Sequence, residues 1–269
     1  MDAEQTEKGM RLRYAGTCDV CGAALAAKTE AVYDRANKTV RCVAHNPALE
    51  EPAEVEAGTP GSSARREFER RKANREERIH AKHPKLAGFI LAVTDDQQST
   101  KAWDTGALGE ERLGTRLNEL ASDTLRVLHD RRIPRTRANI DHIAVTPTGL
   151  YVIDAKKYRG RPHLQIEGGL LRPRVEKLLV GTRDCTKLVD GVLKQVDIVR
   201  DLLDADIPIH GVLCFVEADW PLIGGAFTTR GVQALWPKKL YPTLQAAGPL
   251  EIESLTKIHR TLADALPIA

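Results

Sequence analysis

The chain has 269 residues, with 40 Lys and Arg against 37 Asp and Glu and a formal net charge of +3. Its 42% hydrophobic content is enough for a packed core and excludes global disorder, while a length above ~150 residues suggests one domain plus something extra. No run reaches the ~18 apolar residues of a membrane span, and the opening MDAEQTEKGMRLR lacks the apolar stretch of a signal peptide, so the expectation is a soluble, cytoplasmic protein without a membrane partner.

The first element is a cysteine pattern. Cys18-Asp-Val-Cys21-Gly and Cys42-Val-Ala-His45 are two ligand pairs with two-residue gaps, a spacing that lets each pair grip one tetrahedral Zn²⁺ from a tight turn. Between them, Glu30-Ala-Val-Tyr33, a turn at Ala36-Asn37-Lys38 and Thr39-Val-Arg-Cys42 form a candidate hairpin. The segment resembles a zinc ribbon, with His45 in place of the commoner fourth Cys. A redox Cys-x-x-Cys or unconnected buried cysteines are the alternatives, and neither accounts for the second pair. With four positions filled, the zinc is expected to be structural. Cys185 and Cys214 lie in apolar periodic segments and read as core.

Residues 1–48 are therefore read as a zinc-ribbon-like domain and residues 49–64, within an acidic stretch rich in Pro and Gly, as a flexible linker. Residues 65–85 carry nine Lys or Arg against four Glu and read as a solvated basic helix ending near Pro84. Residues 86–269 form the main domain. Their expected order is helix, three or four strands, helix, two strands and a helix, an α/β (α+β) pattern.

In the expected helix from Gly109 to Ala121, Leu113, Leu117 and Leu120 make one stripe, and Glu110 lies on it while Glu111 points away. A first-turn carboxylate favoured by the helix dipole is the plain alternative for Glu110. Next, Ile140-Asp-His-Ile-Ala-Val145 and Leu150-Tyr-Val-Ile-Asp-Ala-Lys156 are strands joined by Thr146-Pro-Thr-Gly149, which suits a type I turn. If Thr146 faces Gly149, paired numbers sum to 295 and Asp141 falls opposite Asp154. Like charges so placed repel, and a divalent cation between them would remove the conflict. Alternation sets Lys156 on the same face. An Asp154–Lys156 ion pair at a solvated strand end is the alternative. Further on, Gln195 falls within the apolar stripe of the helix around Cys185 to Leu203, where it either bonds to nearby backbone or faces the acidic cluster.

The stretch 156–183 holds eight Lys or Arg against two acids. Lys157, Arg159, Arg161, Arg172 and Arg174 are candidate contacts to a phosphate backbone, and a solvated charged hairpin is the alternative. The 4% aromatic content argues against base stacking as the main binding mode.

Gly106-Ala-Leu-Gly-Glu110, Ile140-Asp141-His142 and Ile153-Asp154-Ala155-Lys156, with Gly160 after it, resemble the nuclease-related domain (NERD), a branch of the PD-(D/E)xK nuclease superfamily. The resemblance runs from about residue 103 to 203 and continues more weakly around Val212-Leu-Cys-Phe215 and in 232–236. It implies a restriction-endonuclease-like core with a central mixed sheet flanked by helices, and Mg²⁺- or Mn²⁺-dependent hydrolysis of DNA. By the same resemblance, Asp141, Asp154 and the Ala155 carbonyl would hold the metal and Lys156 would orient the attacking water. Glu110 would be an additional acid and Gln195 the polar residue of the second helix. Asp154 stands where many members carry Glu, and the motif admits either acid. A non-catalytic nucleic-acid-binding or protein-interaction module on the same fold is the competing expectation.

Overall fold

The computed structural model describes residues 7–43, 55–93, 98–169, 172–203, 206–222 and 224–269. The chain divides into two compact units, Met1–Glu54 and Val55–Ala269.

In the first unit, β1 (Glu7–Arg11), β4 (Glu30–Asp34) and β5 (Thr39–Cys42) form a three-stranded sheet in the order β1-β4-β5, and β2 (Gly16–Thr17) pairs with β3 (Ala24–Leu25). The expected hairpin is present, with Asp34 facing Thr39 and Ala31 facing Cys42. Asp34 holds its turn by accepting from the amides of Ala36 at 2.8 Å and Asn37 at 3.2 Å, an Asx device that replaces backbone pairing. Strand β1 is an addition to the expectation. Its partner β4 lies far along the chain, and pairing at that range leaves no local sequence mark.

The second unit begins with a stretch that the sequence presents as linker. Residues 49–54 of that expected linker lie outside the described residues, but 55–63 run against the sheet. The His129 amide donates to the Ala57 carbonyl at 2.7 Å, and Pro60 fills the space a Cβ at Gly114 would need, 2.3 Å away. The basic helix α1 spans Ser62–Lys82, followed by α2 (Ala87–Val93) and α3 (Gln98–Leu120). Helix α3 thus starts eleven residues before the expected Gly109. Glycine signals a helix boundary through its entropy; here Gly109 sits inside because a Cβ would come 3.2 Å from that of Lys157.

Strands β6 (Arg126–Arg132), β7 (Asn139–Thr146) and β8 (Gly149–Lys156) follow, then a separate sheet of β9 (Pro162–Glu167), β10 (Val175–Val180) and β11 (Arg183–Asp184). The chain continues through α4 (Thr186–Asp201), β12 (Ile209–Phe215), β13 (Phe227–Thr229) and β14 (Val232–Leu235) to two helices where one was expected, α5 (Pro237–Leu244) and α6 (Ile252–Ala265). The central six-stranded mixed sheet has the order β13-β14-β12-β8-β7-β6. Strands β8 and β12 are parallel, whereas β7 and β8 form an antiparallel hairpin in the expected register, from Thr146 facing Gly149 to His142 facing Ile153.

Strand alternation divides the core in two. Ile143, Val145, Leu150 and Val152 pack with Val189, Val192, Val196 and Val199 of α4 and Leu255, Ile258 and Leu262 of α6. Ala144, Tyr151 and Ile153 pack with Leu113 and Leu117 of α3 and Leu240 and Leu244 of α5. A sheet covered on both faces accounts for the nearly continuous apolar run in β8.

Candidate active site and cysteine cluster

The hairpin arithmetic and the strand phase converge at the end of β8. Asp154 is buried, 8% exposed, and its side chain meets the Lys156 ammonium in a close ion pair. The same ammonium lies 3.9 Å from Asp141 Oδ2, and that oxygen also accepts the Ala155 amide at 3.1 Å. Lys156 Nζ stands 3.4 Å from the Ala155 carbonyl. The pair is therefore interior, not a solvated strand end. Asp154 Oδ1, the oxygen in that ion pair, is buried, so the Lys156 ammonium is its partner in a low-dielectric interior.

Helix phase delivers Glu110 to the same charges. Glu110 is buried, while its neighbour Glu111 turns outward to a two-pronged pair with Arg65 at 2.8 and 3.0 Å. Burial, then the Asp141 charge, pushes the Glu110 carboxyl up to about 9. Burial likewise raises Asp154 to about 7 against the opposing pull of Lys156. For Lys156 burial works downward, but Asp154 and Asp141 outweigh it and raise its pKa. Two carboxyls inclined to keep protons thus lie beside an ammonium inclined to keep its own.

Gln195 sits beside the apolar stripe of α4, between buried Val192 and Val196. Its amide nitrogen lies 3.3 Å from the Asn139 carbonyl at the start of β7, and its Oε1 is buried without a partner. It reaches the strand that carries Asp141 through backbone. Of the basic candidates, Arg159, Arg161 and Arg172 are exposed. Arg174 is paired to Glu176 at 2.9 Å and Lys157 to Glu217 at 3.3 Å.

Several polar groups here escaped sequence reasoning. His129 and His142 face each other across β6 and β7 with their Nδ1 atoms 2.9 Å apart, and His129 Nε2 meets Asn118 Oδ1 at 2.9 Å. Burial, before any charge, depresses both imidazoles to about 3, so they are neutral parts of the fold. Asp130 is fully buried and accepts from Ser62 Oγ, Ser63 N and Ser63 Oγ, each at 2.6 Å, and from the Asn139 amide. It caps α1 from another strand. The one sequence signal for the histidines is alternation, which sets His142 on the face opposite Asp141.

In the first unit, Cys18, Cys21 and Cys42 bring their sulfurs within 4.8 Å of one another. The loop from Cys18 to Gly22 closes on itself, with Gly22 N donating to Cys18 O at 2.9 Å and Gly22 at φ +71°. The Cys42 amide, 3.3 Å from Cys18 Sγ, leads the backbone donors that hold the Cys18 thiol down to about 6. Burial, then the neighbouring sulfurs, raises Cys42. The cluster is compatible with a small zinc-binding segment. His45, the expected fourth ligand, lies outside the described residues. Among the described residues this is the one set of three or more ligand side chains that closes to such spacing, so Glu110, Asp141 and Asp154 do not converge as tightly. Cys185 and Cys214 are buried, as expected.

Residues 105–216 match the family described as the nuclease-related domain (NERD), so this stretch is similar to that domain. The match spans α3 through β12 and contains Glu110, Asp141, Asp154, Lys156 and Gln195. No curated protein and no solved structure matches the chain. Among the described residues no helix is long and apolar enough to cross a membrane.

Proposed function

We propose that this protein is a metal-dependent deoxyribonuclease. The observation that carries the reading is that the Asp154, Asp141 and Lys156 charges are gathered, buried or half-buried, at the end of β8. A site that spends so much desolvation on three charges calls for a charged ligand. The residues fit Mg²⁺ or Mn²⁺, since two carboxylates and the Ala155 carbonyl form an all-oxygen donor set. Such a cation supplies Lewis acidity and a bound water of lowered pKa.

This chain's side chains do the rest. Asp154, held near 7, releases its proton when it takes up ligation, as a ligating carboxylate must. Lys156 is anchored between two aspartates and keeps its proton. It orients the attacking water and meets the charge that grows on the phosphate oxygens. Glu110, protonated at neutral pH before the site is filled, supplies a further acid, and Gln195 fixes the start of the Asp141 strand. Lys157, Arg159, Arg161, Arg172 and Arg174 would contact the nucleic-acid backbone; Arg159, Arg161 and Arg172, exposed and outside any ion pair among the described residues, have the most charge to offer. In the first unit, Cys18, Cys21, Cys42 and His45 would hold a structural Zn²⁺.

One observation favours a second reading. The Lys156 ammonium already pairs with Asp154, so much of the cluster's negative charge is met without a cation, as in a binding module that retains the nuclease-related fold. Cleavage of duplex and single-stranded DNA by the purified chain, with Mg²⁺, with Mn²⁺ and with chelator, decides between them. Metal-dependent cleavage lost in Asp154→Ala supports the nuclease; DNA binding without cleavage in any metal supports the module.

A further inference from the structure

The sequence Arg131-Arg-Ile-Pro-Arg-Thr-Arg137 joins β6 to β7, next to the strand that bears Asp141. Its first arginine turns inward, donating to the carbonyls of Leu266 and Glu56. The others, Arg132, Arg135 and Arg137, are exposed, and none forms an ion pair among the described residues. The loop that presents them is closed on itself. Ile133 N donates to Ala138 O at 2.9 Å, Thr136 N and Oγ1 donate to Ile133 O at 3.1 and 2.9 Å, and Ala138 N donates to Thr136 Oγ1 at 3.1 Å.

Facing this loop, the first turns of α1 bring Arg66 and Arg70 to the same groove of ≈ 410 Å³, which Arg132, Arg137, Thr136 and Asn139 also line. Within the groove Glu67 is engaged by Arg70 and Arg71 at 2.7 and 2.6 Å, and Arg66 donates to the Ala269 carbonyl oxygen that also lines it, so the guanidinia unpaired among the described residues are those of the loop. Asn139 links the groove to the candidate active site. Its side chain donates to Ser63 Oγ at 2.9 Å, its carbonyl meets Gln195, and Asp141 follows two residues, about 7 Å, along β7.

The geometry points to this groove as a second nucleic-acid contact surface: the β6–β7 arginine loop and α1 grip the phosphodiester backbone of the strand that enters the Asp141–Asp154 site. Guanidinium forks match phosphate oxygens two at a time. A rigid loop gives up little entropy on binding. The lining has no aromatic or large apolar anchor of the kind protein partners need, and none on which a free base would stack. The inference rests on the nuclease reading for the direction of the strand, not for the binding itself.

The test is the affinity of the full chain for a 20-bp duplex, by fluorescence anisotropy in EDTA from 50 to 200 mM KCl, beside cleavage in Mg²⁺. Arg132→Gln/Arg137→Gln should lower the slope of log K against log salt by about 2, near 0.9 per phosphate contact. Arg132→Lys/Arg137→Lys, which keeps the charge, should retain most of the slope. An unchanged slope in the Gln pair, in a chain that binds and cleaves, overturns the groove and leaves the nuclease reading standing. A reduced slope in a chain that never cleaves keeps the groove and removes the nuclease. Failure of the unmodified chain to bind duplex, or polyglutamate bound as tightly and weakened alike in the Gln pair, overturns the nucleic-acid assignment.

Discussion

The cysteine cluster and the carboxylate site both gather groups that suit a cation, but they prepare for it in opposite ways. At Cys18, backbone amides stabilise the anion in advance, and the thiol is drawn down to about 6. At Asp154 and Glu110, burial works against the anion, and the carboxyls are pushed up to about 7 and 9. The first arrangement lowers the cost of permanent ligation. The second makes ligation conditional, because protons must leave the carboxyls as a cation arrives. On the nuclease reading, the cysteine site has its charge satisfied by amides in advance, whereas the carboxylate site completes its charge only when metal and substrate arrive.

That contrast can be broken most forcefully at the cysteines. One zinc per chain is expected by elemental analysis, and Cys18→Ser/Cys42→Ser should lose it, with apparent stabilisation on the order of 10 kcal/mol at stake. His45→Ala should weaken zinc retention under chelator less than the double change. A zinc-free preparation, or zinc retained by the double variant, would dissolve the first half of the comparison.

At the other site, Asp154→Ala should cut Mg²⁺-dependent cleavage about a thousandfold, equivalent to several kcal/mol of transition-state stabilisation. Asp141→Ala should match it, and the two together should add little, as for residues acting as one unit. Full activity in Asp154→Ala would refute the catalytic assignment.

A smaller effect reads the proton inventory directly. Glu110 and Asp154 have folded pKa values above their unfolded ones, so the unfolded chain releases these protons first and stability falls as pH rises toward 7 and 9. The depressed histidines His129 and His142 act the other way, adding stability as pH climbs from about 3 to ~6.5. Above that the carboxyls act alone within the second unit, while in the first the Cys18 thiol, drawn down to about 6, adds stability as pH rises. In chelator, the unfolding free energy should drop by about 2 kcal/mol from pH 6.5 to 8 on account of Glu110, at ~1.4 kcal/mol per unit. Glu110→Gln should flatten the decline, as followed by urea melts at each pH. An equally steep decline in that variant would place the strain elsewhere.

The smallest expected change is at Glu111. Its ion pair with Arg65 is about a third exposed on both sides, so Glu111→Ala should cost under ~1 kcal/mol and leave cleavage near normal. A large loss of cleavage there would mean that the helix face was misassigned.

What the sequence made legible was local. The turn Thr146-Pro-Thr-Gly149 and strict alternation set the register that brings Asp141, Asp154 and Lys156 together, and the 3.6-residue phase turned Glu110 in and Glu111 out. Long-range relations left no such trace. Gly109 resembled a helix start because its actual cause, close approach by Lys157, is set by a distant segment. On α4, where Leu188, Val192, Val199 and Leu202 read as the stripe, the buried set is Val189, Val192, Val196 and Val199, with Leu188 and Leu202 only partly covered. The arginine loop went unread because Arg131 and Arg132 look alike in sequence, yet one is buried and one exposed.

The capping of α1 by Asp130 has a consequence for where this protein can be divided. The family match opens at residue 105, but Asp130 draws three of its four donor contacts from Ser62 and Ser63, more than forty residues upstream. A fragment trimmed to the homologous borders would keep the buried carboxylate and discard most of what satisfies it, at a cost of about 3–5 kcal/mol, a large share of the stability of an ordinary domain. The region that is inherited and the region that can stand alone have different edges, and the second begins at least as early as the serines that open α1.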